Sequence, residues 1–197
     1  MKKLFTTVVL ILLYVLPLGS SVLPLGSSVL PLGSSQKSLH DGKNIWTYKS
    51  YESVMSDRKK QLTCLAKNIY FEARNEPFAG QFAVALVTLN RVNDSAFPNT
   101  ICKVVYQGIH TADGFPKRNR CQFSWYCDGN SDEVQNLKSY DKTQKIANLA
   151  MLQYSKMKSE GLDFTEGARY YHTYEISPRW STSFPKIGRI GDHIFYR

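Results

Sequence analysis

The segment from Ala79 to Val92 constrains this chain most, because Phe82, Ala83, Val84, Ala85, Leu86, Val87 and Leu89 leave almost no polar face until Asn90 and Arg91. A helix that is apolar all round must be covered all round, so other elements have to enclose it at the centre of the domain. The chain of 197 residues has enough length for one such core plus short extensions. A hydrophobic fraction of 43% and an aromatic fraction of 13% exclude a disordered chain.

Two further helices can enclose it. Leu62, Leu65, Ala66, Ile69 and Ala73 recur at helical spacing, and the pattern stops before Pro77. A third helix spans about Tyr140 to Ser159, with Ile146, Ala147, Ala150, Tyr154 and Met157 on one side and Gly161 as terminator. Between the second and third helices, Phe97 to Asp128 is long, aromatic and without period. The segments Ala168 to Thr173 and Arg189 to Tyr196 are rich in β-forming residues and read as two short strands. The expected fold class is therefore α+β, mostly helical, with a small antiparallel sheet.

The N-terminus reads differently. Lys2 and Lys3 precede an apolar run from Leu4 to Leu16 that only Thr6 and Thr7 interrupt, the pattern of a secretory signal. The run is too short to span a bilayer as a helix, and Pro17 ends it, so no stable membrane span is expected after processing. The heptad VLPLGSS then occurs three times, over Val15–Ser21, Val22–Ser28 and Val29–Ser35. Proline in every copy rules out a coiled coil and leaves a linker. The expected organisation is a signal peptide over 1–21, its end open as far as 35, a linker over 22–57, and a folded domain over 58–197. The formal charge is +9, and the basic residues favour a polyanionic partner. No zinc-finger or RNA-binding signature selects nucleic acid.

One carboxylate stands out. At 100° per residue, with Leu65 at zero, the apolar stripe of the first helix lies between about 40° and 100° and Glu72 falls at about −20°. A carboxyl on the flank of a packed stripe loses water, its pKa rises, and it can then donate a proton near neutrality, as a glycosidase acid must. A rim glutamate satisfied by Arg74 or Arg91 fits the same position, and local residues leave both readings open.

The stretches LAKNIYFEARNEPFAGQFAVALVTLNRV, FPNTICKVVYQ, CQFSWYCDG, YYHT, SPRW and IGDHIFYR follow one another between Leu62 and Arg197. Together they resemble the catalytic domain of the cell-wall hydrolases typified by the spore cortex-lytic enzyme. The resemblance implies a lysozyme-like, transglycosylase-related fold. It also implies cleavage of peptidoglycan between N-acetylmuramic acid and N-acetylglucosamine, with Glu72 as the catalytic acid in IYFEARNE. Around such an acid, Gln122 and Ser124 offer polar groups for sugar hydroxyls and N-acetyl groups, and Phe123, Trp125 and Trp180 offer flat faces for pyranose rings. Tyr171 and His172 can contact sugar or position Glu72. For every aromatic here, core packing is the competing role.

Other chemistries are open to the same residue types. His40, His110, His172 and His193 could be gathered into a zinc amidase site, yet none is spaced as a ligand pair and there is no HExxH, so neither metal nor other cofactor is expected. A cysteine nucleophile conflicts with export, where four cysteines more often form bridges. Cys121 with Cys127 is the local pair and Cys64 with Cys102 the other, out of three possible connectivities. A non-catalytic wall-binding module would need the charge and aromatics without Glu72. The expected protein is an exported monomer acting on peptidoglycan in the periplasm, cell wall or medium. Glu76, Asp128 and Asp192 have no positional claim to be a second catalytic carboxylate, which favours a lytic transglycosylase over a water-using muramidase.

Overall fold

The computed structural model describes residues 48–197. The leader, the VLPLGSS repeats, His40 and most of the linker lie outside the described residues. Helices take up about half of what is described. α1 (Tyr48–Ala73) and α2 (Phe78–Val92) meet at Pro77, which has no amide hydrogen to carry α1 onward. A short α3 (Ile101–Val105) follows, then the hairpin of β1 (Gly108–His110) and β2 (Pro116–Cys121), and a 3-10 turn over Ser124–Cys127. The long α4 (Leu137–Ser159) leads to β3 (Tyr170–Thr173), a second 3-10 turn over Arg179–Ser183, β4 (Lys186–Ile190) and β5 (His193–Tyr196).

α2 is covered on all sides, as its composition requires. Phe82, Ala85, Leu86 and Leu89 join a core built with Leu65 and Ile69 of α1, Val104 and Val105 of α3, and Ile146, Ala147 and Ala150 of α4. Ala83 and Val87, on the opposite side, pack against Ala168 and Phe195, with Tyr171, Ile187 and Ile190 at the margin. Each fully buried aliphatic or aromatic side chain contributes roughly 1.5–3 kcal/mol. The polar end of α2 is buried too. Asn90 donates to Ala168 O at 3.0 Å and accepts from the Tyr154 hydroxyl at 2.9 Å, so it clasps the approach to β3.

The sheet order is β3-β5-β4, all antiparallel. Here the structure differs from the sequence expectation. The stretch Arg189 to Tyr196 is not one strand: Gly191 and Asp192 turn the chain, and the hairpin adds a strand. Gly191 has φ +61° and Glu76 lies against it, so a Cβ there would come within 1.9 Å of Glu76 Oε2. Only glycine fits both conditions.

The first helix also begins earlier than its apolar pattern. Residues 51–60 are almost all exposed, and Arg58 reaches Asn148 of α4 at 3.4 Å, so these turns extend the helix without joining the core. The aperiodic segment after α2 holds α3 and the β1–β2 hairpin. Disulfides join Cys64 to Cys102, tying α1 to α3, and Cys121 to Cys127. No helix among the described residues is long and apolar enough to cross a membrane.

Candidate active site

Glu72 lies in the last turn of α1, where the helix passes the edge of the three-stranded sheet. Its carboxylate accepts a hydrogen bond from the Tyr171 hydroxyl at 2.9 Å. Burial pushes the Glu72 pKa up, and the Tyr171 donor and the positive charge of Arg91 partly offset that rise. The same burial, together with the Glu72 charge, holds the Tyr171 phenol well above its ordinary value. Burial thus favours the protonated form of Glu72, while the Tyr171 hydroxyl favours its carboxylate.

Two recesses meet at this side chain. The larger, of about 510 Å³, is bounded by Glu72 and Arg91 on the helices and by Gln122, Phe123 and Ser124 from the disulfide-closed loop. Tyr170, Tyr171 and His172 of β3 line it as well, and Trp180 and Phe184 complete an aromatic wall. The smaller, of about 280 Å³, also includes Glu72, Thr173 and His193 in its lining. The carboxyl group therefore borders both.

Most of the residues singled out from the sequence converge here, with different roles. Gln122 and Ser124 are exposed, whereas Phe123 and Trp125 are buried, so the run alternates between solvent and core. Phe123 still forms part of the wall. Trp125 does not line the larger recess: its ring stacks on Phe71 at 4.6 Å and its Nε1 donates to Asn68 Oδ1 at 3.0 Å. It is buried in the core and borders a different recess, with Phe71 and Arg74. His172 borders the recess with both ring nitrogens occupied, by Thr173 O at 2.8 Å and the Tyr196 hydroxyl at 2.9 Å. Its ring supports Trp180 edge-on, which makes it a brace rather than a polar contact. Trp180 is partly exposed and faces the recess.

Glu76, the next carboxylate in the chain, sits in the turn between α1 and α2 and lines the smaller recess. It is buried, accepts from the Asp192 amide at 3.0 Å, lies 3.4 Å from His193 Nδ1, and presses on Gly80 and Gly191. Burial lowers the His193 pKa, which favours the neutral ring, although Glu76 opposes the shift. The larger recess contains no acidic residue besides Glu72. Among the described residues no three His, Cys, Asp or Glu side chains come together as a possible metal site.

Sequence reasoning did not place Tyr170, Phe184 or His193 in the cleft, and it brought Arg91 in as a partner of Glu72 rather than as part of the wall. Arg91 carried a usable signal, since a charge next to the last apolar turn of a buried helix has to be explained by something it meets.

The comparisons agree with this architecture. The catalytic domain of the germination-specific lytic transglycosylase SleB from Bacillus anthracis superposes with a TM-score of 0.52 at 29% identity, covering 71% of this chain and 95% of that one. The lysozyme-like fold of that domain is therefore the fold of this one. A family model described as Cell Wall Hydrolase matches residues 75–196, and the chain belongs to that family. Spore cortex-lytic enzymes from Halalkalibacterium halodurans and Bacillus subtilis are each 33% identical, over 79% and 66% of this chain respectively. The matched regions span 39% and 35% of those two proteins, so the likeness concerns one part of each.

Proposed function

We propose that this domain is a peptidoglycan-degrading enzyme that cuts the glycosidic bond between N-acetylmuramic acid and N-acetylglucosamine, as a lytic transglycosylase with Glu72 as its acid and base. The observation that carries the reading is one carboxyl group, shifted by burial toward its protonated form, that borders both recesses and is the one acid lining the larger, while Glu76, Glu175 and Asp192 line the smaller alone. An extended glycan can lie across both recesses with the scissile bond at Glu72. Glu72 protonates the glycosidic oxygen as the bond to C1 breaks. The resulting carboxylate, steadied by Tyr171, takes the proton from the muramic acid 6-hydroxyl as that oxygen attacks C1. The products are a 1,6-anhydro-muramic end and a new 4-hydroxyl. Water-using glycosidases generally place a second carboxylate across the bond, and no free one lines the larger recess.

Export fits the same reading. The basic and apolar leader would direct the chain out of the cytoplasm, and both disulfides suit an oxidising compartment. The relatives named as spore cortex-lytic enzymes and the net positive charge both support a wall polymer as substrate. The test is Glu72→Gln, which keeps the shape of the side chain and removes the transferable proton. The variant is expected to bind purified wall and to lose about a hundredfold or more in cleavage rate. Undiminished cleavage by a folded Glu72→Gln protein would end the reading.

A further inference from the structure

Arg91 exchanges no proton in the steps just described, although its charge acts on Glu72; it is only 3% exposed and lines the larger recess together with Glu72. Its Nε donates to Arg169 O at 2.7 Å, while its Nη1 is buried and meets no hydrogen-bond acceptor. What surrounds the guanidinium is aromatic: the rings of Phe123, Phe97 and Tyr170 lie 5.1, 5.4 and 5.9 Å from it. Ring faces attract a cation, but they do not replace the hydration that a buried guanidinium gives up. No carboxylate among the described residues forms an ion pair with it. The guanidinium thus keeps a buried donor without an oxygen partner, and the charge that reaches it from the recess is that of Glu72.

The substrate class suggests what that oxygen is. Both sugars of a peptidoglycan strand carry N-acetyl groups, and muramic acid alone adds a lactyl ether ending in a carboxyl group. An enzyme that tells the bond after muramic acid from the bond after glucosamine has to read that group. Arg91 is the one arginine or lysine lining the larger recess. Of its two histidines, His172 has both nitrogens engaged and His193 is shifted toward the neutral form.

Resting on the reading of Glu72 given above, we propose that Arg91 is the subsite for the lactyl carboxyl oxygen of N-acetylmuramic acid, as a free carboxylate or as the amide carbonyl that bears the peptide. The rival source of the same chemistry is the N-acetyl carbonyl, which both sugars possess.

Calorimetry in a Glu72→Gln background decides between them, using a tetrasaccharide of alternating N-acetylglucosamine and N-acetylmuramic acid and the tetrasaccharide of N-acetylglucosamine alone. With Arg91 in place, the muramic ligand is expected to bind about tenfold more tightly or better, the range for a hydrogen bond to a charged group. Adding Arg91→Gln should erase that preference and leave binding of the glucosamine ligand nearly unchanged. Equal affinities with Arg91 in place would overturn the proposal. So would an equal loss for both ligands in Arg91→Gln, which would assign the contact to the N-acetyl carbonyl, and so would binding of neither ligand. If Arg91→Gln fails to fold, reducing the lactyl carboxyl to an alcohol makes the same comparison from the ligand side: a retained preference overturns the assignment. Cleavage by the Glu72→Gln protein would refute the catalytic reading separately, because the Arg91 result is read from binding alone.

Discussion

The Tyr171 hydroxyl donates to Glu72 at 2.9 Å, and a donor in that place favours the carboxylate over the acid. Removing it in Tyr171→Phe should therefore raise the Glu72 pKa beyond what burial already does. The acid form would persist to higher pH, so the alkaline limb of the pH–rate profile should move upward while the maximal rate falls, because the base half of the reaction loses its support. A limb that stays in place or moves to lower pH would contradict the assignment. The same burial bears on stability. A carboxyl whose folded pKa lies above its unfolded one favours folding at low pH and opposes it progressively as pH rises through the folded value. Glu72→Gln should therefore melt higher than the parent protein at neutral and alkaline pH, and the gain should vanish in melts run below the ordinary glutamate range. Helical phase was enough to place Glu72 on the flank of the stripe, because 100° per residue is a property of the backbone. It could not separate Phe123 from Trp125: which ring meets the cleft depends on Asn68 and Phe71 of α1, more than fifty residues earlier in the chain.

Among the elements, α2 was the most legible, since an all-apolar helix carries its environment in its composition. α4 was legible through its stripe, and Gly161 follows its last residues at φ +67°. The first turns of α1 were hidden because they touch little, and surface turns impose no period. The β4–β5 hairpin was hidden for another reason: Gly191-Asp192 sits inside a run of β-forming residues, and the turn is specified by the approach of Glu76 as much as by local composition. The two disulfides give these elements different liabilities. Cys64–Cys102 closes a span of 38 residues and Cys121–Cys127 one of 6. By loop-closure entropy, removing the first should cost about 4 kcal/mol and the second about 2 kcal/mol. Activity should show the reverse order, because the short loop carries Gln122, Phe123 and Ser124 in the cleft wall. Thermal melts and wall-cleavage rates of the two double Cys→Ser variants check this, and equal activity losses at matched stability would contradict it.

Over the whole molecule, the cleft is assembled from parts far apart in the chain. The end of α1 supplies Glu72, the end of α2 supplies Arg91, a disulfide-closed loop and β3 supply the walls, and the second 3-10 turn brings Trp180. No local pattern spans such a site. Only the succession of sequence blocks from Leu62 to Arg197 indicated that they belong together. The central claim is that one carboxyl group serves as both acid and base with the substrate as its own nucleophile, and the reaction products record this directly. Purified peptidoglycan digested with the protein should yield fragments ending in 1,6-anhydro-muramic acid by mass spectrometry, and Glu72→Gln should yield none. Reducing muramic ends would mean that water attacked and that a second catalytic group is at work, while intact glycan strands with freed peptides would place the cleavage at the amide bond and contradict the account.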